Sequence, residues 1–184
     1  MGERFLGEEI GEESARPVLA LCPGAEFGTA KQWPEEHYAA VANHYLEQGW
    51  RVMLLGSAND ADTCAAVQTA LSGGGSCLNL AGRTSLEEVV HLLALSSLAV
   101  SNDSGLMHIA AAVGVPTVAI YGATSPSFTP PLASQARVLS EPVDCAPCFQ
   151  RECPLGHHKC MRDLKPKSVL DTAAELVDVS LRSG

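Results

Sequence analysis

LAVSNDSGLMHIAAAVGVPTVAIY, running from Leu98 to Tyr121, is the stretch that decides the architecture. Leu98 to Ser101 reads as a short strand, and Ser104 to Val113 as an apolar helix stopped by Gly114. Thr117 to Tyr121 is a second apolar run of strand length. A strand, a helix and a strand in so short a span make a βαβ unit, whose strands run parallel.

Working outward, the same alternation recurs. Val18 to Cys22 is a continuous apolar run closed by Pro23-Gly24, as in a strand buried on both faces. Pro34 is expected to open a helix at its first position, where a missing N–H costs nothing. Tyr38, Val41, Ala42, Tyr45 and Leu46 form its apolar stripe, and Gly49 stops it. Arg51 to Leu55 is a strand, Asp60 to Leu71 an Ala-rich helix ending in Gly73-Gly74-Gly75, and Cys77 to Leu80 a short strand. Thr84 or Ser85 caps the next helix, since Glu87 and Glu88 stand three residues on from each. After Gly122 the pattern changes. Arg137 to Leu139 is a last strand, Glu141 to Arg162 a Cys- and Pro-rich excursion, and Pro166 to Leu181 a closing helix with Val169, Ala173, Leu176 and Val177 on one face. The fold class is α/β, an open parallel sheet with helices on both faces.

Composition sets the bounds. The 184 residues suit one domain, and 46% hydrophobic content is globular. Residues 1–16 are acidic and read as a leader or linker; residues 17–184 form the domain. A net charge of −9 leaves no basic surface for general nucleic-acid binding. No apolar run reaches the roughly 20 residues of a membrane span, and no secretion signal opens the chain, so the cytoplasm is the expected compartment. Seven cysteines without such a signal argue against a disulfide framework.

Ligands of open parallel sheets sit beyond the carboxyl ends of the strands, and three loops there carry suitable residues. In Asn102-Asp103-Ser104-Gly105-Leu106-Met107-His108, the helix start offers backbone N–H groups to an anion. Gly105 permits close approach, Ser104 can donate a hydroxyl, and His108 shares its face. Asp103 is expected to cap the helix and hold the loop open, because a carboxylate repels a phosphate. An ordinary N-cap with a core-facing His is the competing reading. In the loop Cys22 to Pro34, Lys31 suits a phosphate, or is simply a solvated surface lysine; Trp33 reads as a packing residue. In Gly56 to Asp62, Ser57 and Asp60 read first as caps and only second as sugar-hydroxyl partners.

Other chemistries fit worse. Asp103, Ser104 and His108 are crowded into one helical turn, no G-x-S-x-G elbow is present, and no G-x-G-x-x-G follows a strand. The excursion holds Cys145-x2-Cys148-x4-Cys153-x6-Cys160, with His157 and His158 inside it. That spacing leaves a structural metal and plain reduced thiols both open, and no metal ligand is assigned.

Taken together, the segments Cys22-Pro23-Gly24-Ala25-Glu26-Phe27-Gly28 through Lys31-x-Trp33-Pro34, Leu80-Ala81-Gly82-Arg83-Thr84-Ser85-Leu86, Asn102 to His108 and Tyr121-Gly122-Ala123-Thr124-Ser125-Pro126 resemble glycosyltransferase family 9, the lipopolysaccharide heptosyltransferases. The likeness runs from Val18 to about Leu181. It implies the C-terminal, donor-binding Rossmann-like half of a two-domain GT-B enzyme that transfers heptose from ADP-heptose, with inversion, to the lipopolysaccharide inner core at the cytoplasmic face of the inner membrane. By that likeness Lys31, Ser104, Gly105 and His108 hold the diphosphate, and Thr84 and Ser85 lie near the nucleoside. The acceptor half and its catalytic base are expected N-terminal to this region, so the catalytic residues of this chain are unknown and its activity alone is in question. No cofactor is firmly specified; Mg2+ is compatible with the diphosphate. The other function class is a non-catalytic nucleotide-binding module, or an interaction module stabilised by metal in the Cys loop.

Overall fold

The computed structural model describes residues 16–73 and 76–183. The expected acidic leader, apart from Arg16, and the Gly74-Gly75 part of the glycine turn lie outside the described residues. In chain order the elements are β1 (Val18–Cys22), α1 (Glu35–Glu47), β2 (Arg51–Leu54), α2 (Ala61–Thr69), β3 (Cys77–Asn79), α3 (Leu86–Ala94), β4 (Leu98–Asn102), α4 (Gly105–Ala112), β5 (Thr117–Tyr121), β6 (Ala136–Ser140), the single turn α5 (Lys159–Arg162) and α6 (Pro166–Ser183). Short 3-10 turns at Thr29–Lys31 and Ala58–Asp60 precede α1 and α2.

The strands form one sheet in the order β3-β2-β1-β4-β5-β6, and each neighbouring pair runs parallel. β1, β4 and β5 are buried at every position, so their near-continuous apolar sequences match coverage on both faces. Alternate residues point to opposite sides. Leu19, Leu21, Val52, Leu54, Val100 and Ile120 pack with Tyr38, Val41 and Tyr45 of α1, Cys64 and Val67 of α2, and Val169, Ala173 and Leu176 of α6. On the other face Ala20, Cys22, Met53 and Ala99 meet Val89, Leu92 and Leu93 of α3 and Ala110 of α4. The edge strands β3 and β6 are only partly covered.

Helix starts differ from expectation in detail. Pro34 is the N-cap of α1 rather than its first helical residue, with φ −54° and ψ 140°; its carbonyl accepts the first helical N–H groups, from His37 and Tyr38. Ser85, not Thr84, caps α3. Its hydroxyl accepts from Glu88 N–H while the Glu88 carboxylate accepts from Ser85 N–H at 2.8 Å, two terminal donors satisfied reciprocally. Ser57 and Asp60 make the same box before α2, the reading preferred for them from sequence. Among the described residues no helix is long and apolar enough to cross a membrane.

Candidate functional site

Between β1 and β4 the winding of the sheet changes direction, and the connections leaving those two strands diverge. Such a switch point opens a crevice beyond the strand ends. Three loops meet there: the one after β1, the β4–α4 junction, and the one after β5.

Asn102, the last residue of β4, joins the first two loops. Its buried side-chain amide donates to the carbonyls of Pro23 at 2.7 Å and Gly24 at 3.3 Å. Its Oδ1 accepts from Trp33 N–H at 3.2 Å and Tyr38 Oη at 3.0 Å. Trp33 is fully buried, stacks edge-on against His37 and Tyr38, and donates its indole N–H to the Leu164 carbonyl at 2.9 Å. The loop after β1 is therefore anchored at both ends, and Lys31 is presented between the anchors.

Lys31 Nζ donates to Asp103 Oδ2 at 2.8 Å and to the Asp103 carbonyl at 3.0 Å. Asp103 Oδ2 also accepts from Thr124 Oγ1 at 2.6 Å, and Oδ1 from Thr129 Oγ1 at 3.4 Å. This corrects the expectation that Asp103 caps the helix. The N-cap of α4 is Ser104, and it contributes no side-chain bond to the helix start. The carboxylate instead gathers Lys31, Thr124 and Thr129 from two loops, and the cation satisfies a charge that burial alone would penalise. Two of the three ammonium donors are used on Asp103, which leaves one for another acceptor. The Tyr121 hydroxyl donates to the Thr129 carbonyl; burial, then the nearby Asp103 charge, push its pKa up to about 12.

Lys31, Asp103, Thr124 and Thr129 line a cavity of about 840 Å3, together with Glu26, Phe27, Ser104, Gly105, His108, Ser125, Phe128, Phe149 and Arg151. That volume lies in the range of small-molecule sites. Gly105 opens α4, and a Cβ built on it meets nothing within 4 Å. The glycine is thus required neither by packing nor by a positive φ, and the space above it is open. Lys31 and Arg151 each lie 5.2 Å from the Phe27 ring centroid, within cation–π range, and Phe128 packs edge-on against Phe149. The cleft thus combines two cations, a helix start and three aromatic rings.

Of the residues singled out from sequence, Lys31, Asp103, Ser104, Gly105 and His108 come together in this cavity. Thr84 and Ser85 do not line it: Ser85 is engaged in the α3 cap, and Thr84 Oγ1 reaches only the Leu80 carbonyl at 3.5 Å. Sequence reasoning missed Phe128, Thr129, Phe149 and Arg151. They come from irregular segments far along the chain, and no periodicity marks them. Thr124 lies in a quoted motif, Tyr121 to Pro126, but nothing local connects it to Asp103.

Residues 4–159 match the family model for glycosyltransferase family 9 (heptosyltransferase). The chain is 43% identical over 179 residues to lipopolysaccharide heptosyltransferase 2 of Salmonella typhimurium, covering 96% of this chain and 51% of that protein. To lipooligosaccharide heptosyltransferase 2 of Haemophilus influenzae it is 42% identical, covering 88% and 48%. The solved structure of the E. coli ADP-heptose lps heptosyltransferase II superposes with a TM-score of 0.84 at 39% identity, over 97% of this chain and 52% of that one. The chain spans about half the length of the curated relatives it matches.

Proposed function

The chain belongs to glycosyltransferase family 9, the heptosyltransferases, and from that premise we propose that its cleft binds the nucleotide-sugar donor, ADP-heptose, of an inverting transfer in lipopolysaccharide inner-core synthesis. One observation carries the reading: the uncapped start of α4, the open space over Gly105 and the Lys31 ammonium face one cavity at the switch point of the sheet. Amide N–H groups and the helix dipole favour an anion there. A departing diphosphate needs such positive charge in the transition state.

In this reading the diphosphate sits over Gly105, held by Ser104, the α4 amides and the remaining Lys31 donor. Asp103 does not touch it. It fixes the lysine and, through Thr124 and Thr129, the far wall. The exposed ring of His108 reaches phosphate or sugar, and Phe128, Phe149 and Arg151 supply flat and cationic surface for the rest of the donor. The base that deprotonates the acceptor hydroxyl, and the acceptor site itself, are assigned to the half of the relatives that lies outside the match. In this reading the chain supplies the donor-binding half of the enzyme.

Calorimetry with ADP tests this. Lys31→Ala and Ser104→Ala should each weaken binding by about 1–3 kcal/mol, the range for charge-assisted hydrogen bonds. Unchanged affinity in both variants removes the site assignment. Binding of ADP without heptosyl transfer by this chain supports a donor half; transfer by the chain alone refutes the placement of the base.

A further inference from the structure

The excursion between β6 and α6 carries little regular structure, a single helical turn, and its Phe149 and Leu155 are exposed. Its end is packed into the core through Cys160, Met161 and Leu164, but none of residues 141–159 is buried, and these supply Arg151 and Phe149 to the cleft. Its contacts with the rest of the protein include two backbone bonds: Ala30 N–H donates to the Arg151 carbonyl at 3.0 Å, and Phe149 N–H to the Ala123 carbonyl at 2.7 Å. Segments that cannot be held by a core are commonly held by a staple.

The four cysteines of the excursion provide one. Cys145, Cys148, Cys153 and Cys160 all line a single small cavity of about 20 Å3, walled on the protein side by Ala30 and Ala123. That is room for one water-sized or ion-sized occupant. None of the four is in a disulfide. The Cys153 sulfur accepts a hydrogen bond from His158 N–H at 3.4 Å, and the Cys145 sulfur lies 3.9 Å from His157 Nε2. Cys160 is buried, and Cys145, Cys148 and Cys153 are each partly buried around the same cavity.

We propose that Cys145, Cys148, Cys153 and Cys160 bind one thiophilic metal ion, zinc or iron, as a structural tetrathiolate site that fastens the excursion to the loops bearing Lys31 and Thr124. Tetrahedral sulfur coordination selects these metals. Among the described residues no group of three or more His, Cys, Asp or Glu side chains already stands in an arrangement that holds a metal. Capture therefore involves rotation of the thiols about their Cα–Cβ bonds into the cavity they line, with each proton released to solvent as its sulfur binds. Ala30, Ala123, Pro154, Leu155, His157 and His158 complete the lining of that cavity.

The test needs no nucleotide, so its outcome is separate from that of the donor-binding reading. The full chain is produced in medium containing zinc and iron, purified under reductant without chelators, and analysed for both elements. About one ion per chain is expected, and the element found decides between the two metals. Cys145→Ser/Cys148→Ser should lower the content about tenfold or more, while Cys77→Ser on β3 and His157→Ala should leave it unchanged. If the double variant does not fold, a mercurial thiol reagent added to the unmodified chain should release the ion to a chromogenic chelator. Zinc and iron both far below one equivalent in the unmodified chain overturn the proposal. Loss of the ion on His157→Ala overturns the four-cysteine ligand set.

Discussion

Asn102 shows what one buried side chain can decide. Its amide bonds to two carbonyls, one N–H and one hydroxyl, all in the loop after β1 or in α1. Asn102→Ala leaves those groups without their partner, and should lower the free energy of unfolding by about 1–3 kcal/mol. Denaturant titration checks this; a change within roughly 0.5 kcal/mol, the range of ordinary surface substitutions, would show that the loop is held by other means. ADP affinity should fall as well, because Lys31 loses its anchored position. The sequence marked Asn102 only as the first letter of a loop motif. Its role was hidden because its partners lie more than sixty positions away, and no local pattern encodes a long-range hydrogen bond. Asp103 was misread for the same reason. An acidic residue just before a helix suggests a cap, whereas the carboxylate is claimed by Lys31, Thr124 and Thr129 from elsewhere in the chain.

Elements were far more legible. The buried strands β1, β4 and β5 announce themselves as short apolar runs, and α1 and α6 as apolar stripes, because hydrophobic period and turn chemistry are local signals. Boundaries shifted by a residue or two, as at Pro34, where the choice between N-cap and first helical residue depends on ψ. Two helix starts now make opposite predictions. Ser85→Ala removes the cap of α3 and should cost about 1 kcal/mol of stability. It should leave ADP affinity unchanged, since Ser85 does not line the cavity; weakened ADP binding would instead restore the nucleoside contact implied by the family likeness. Gly105→Val at the start of α4 should behave conversely. Its Cβ meets nothing, so the fold survives, while ADP affinity drops about tenfold or more, roughly 1.4 kcal/mol, as the side chain enters the proposed phosphate space. Equal ADP affinity in this variant would move the diphosphate away from α4.

At the scale of the molecule, the parallel sheet with helices on both faces was readable because the βαβ rhythm leaves few alternatives. The cleft was readable in part. Two of its loops follow from the strand order, but the wall made by Phe128, Phe149 and Arg151 depends on how the irregular segments after β5 fold back. Global stability should also depend on pH through His37. Burial lowers its pKa from 6.5, Glu36 and the Leu164 backbone oppose that and Lys165 adds to it, and among the described residues its buried Nδ1 has no hydrogen-bond partner. Because the folded state binds this proton less readily than the unfolded chain, its contribution is constant above about pH 6.5 and is lost as pH falls towards the depressed value. Unfolding titrations across that window should show a decline that His37→Gln reduces; an identical decline in the variant assigns it to other groups. A final consequence follows from Gly28, whose φ is 152° and where an added Cβ would lie 2.2 Å from the Arg151 carbonyl. The two segments in contact there are a matched pair of parts. A chimera that imports the lysine-bearing loop from a relative should fold only when it imports the cysteine-bearing one too, and specificity engineering must treat them as a single cassette.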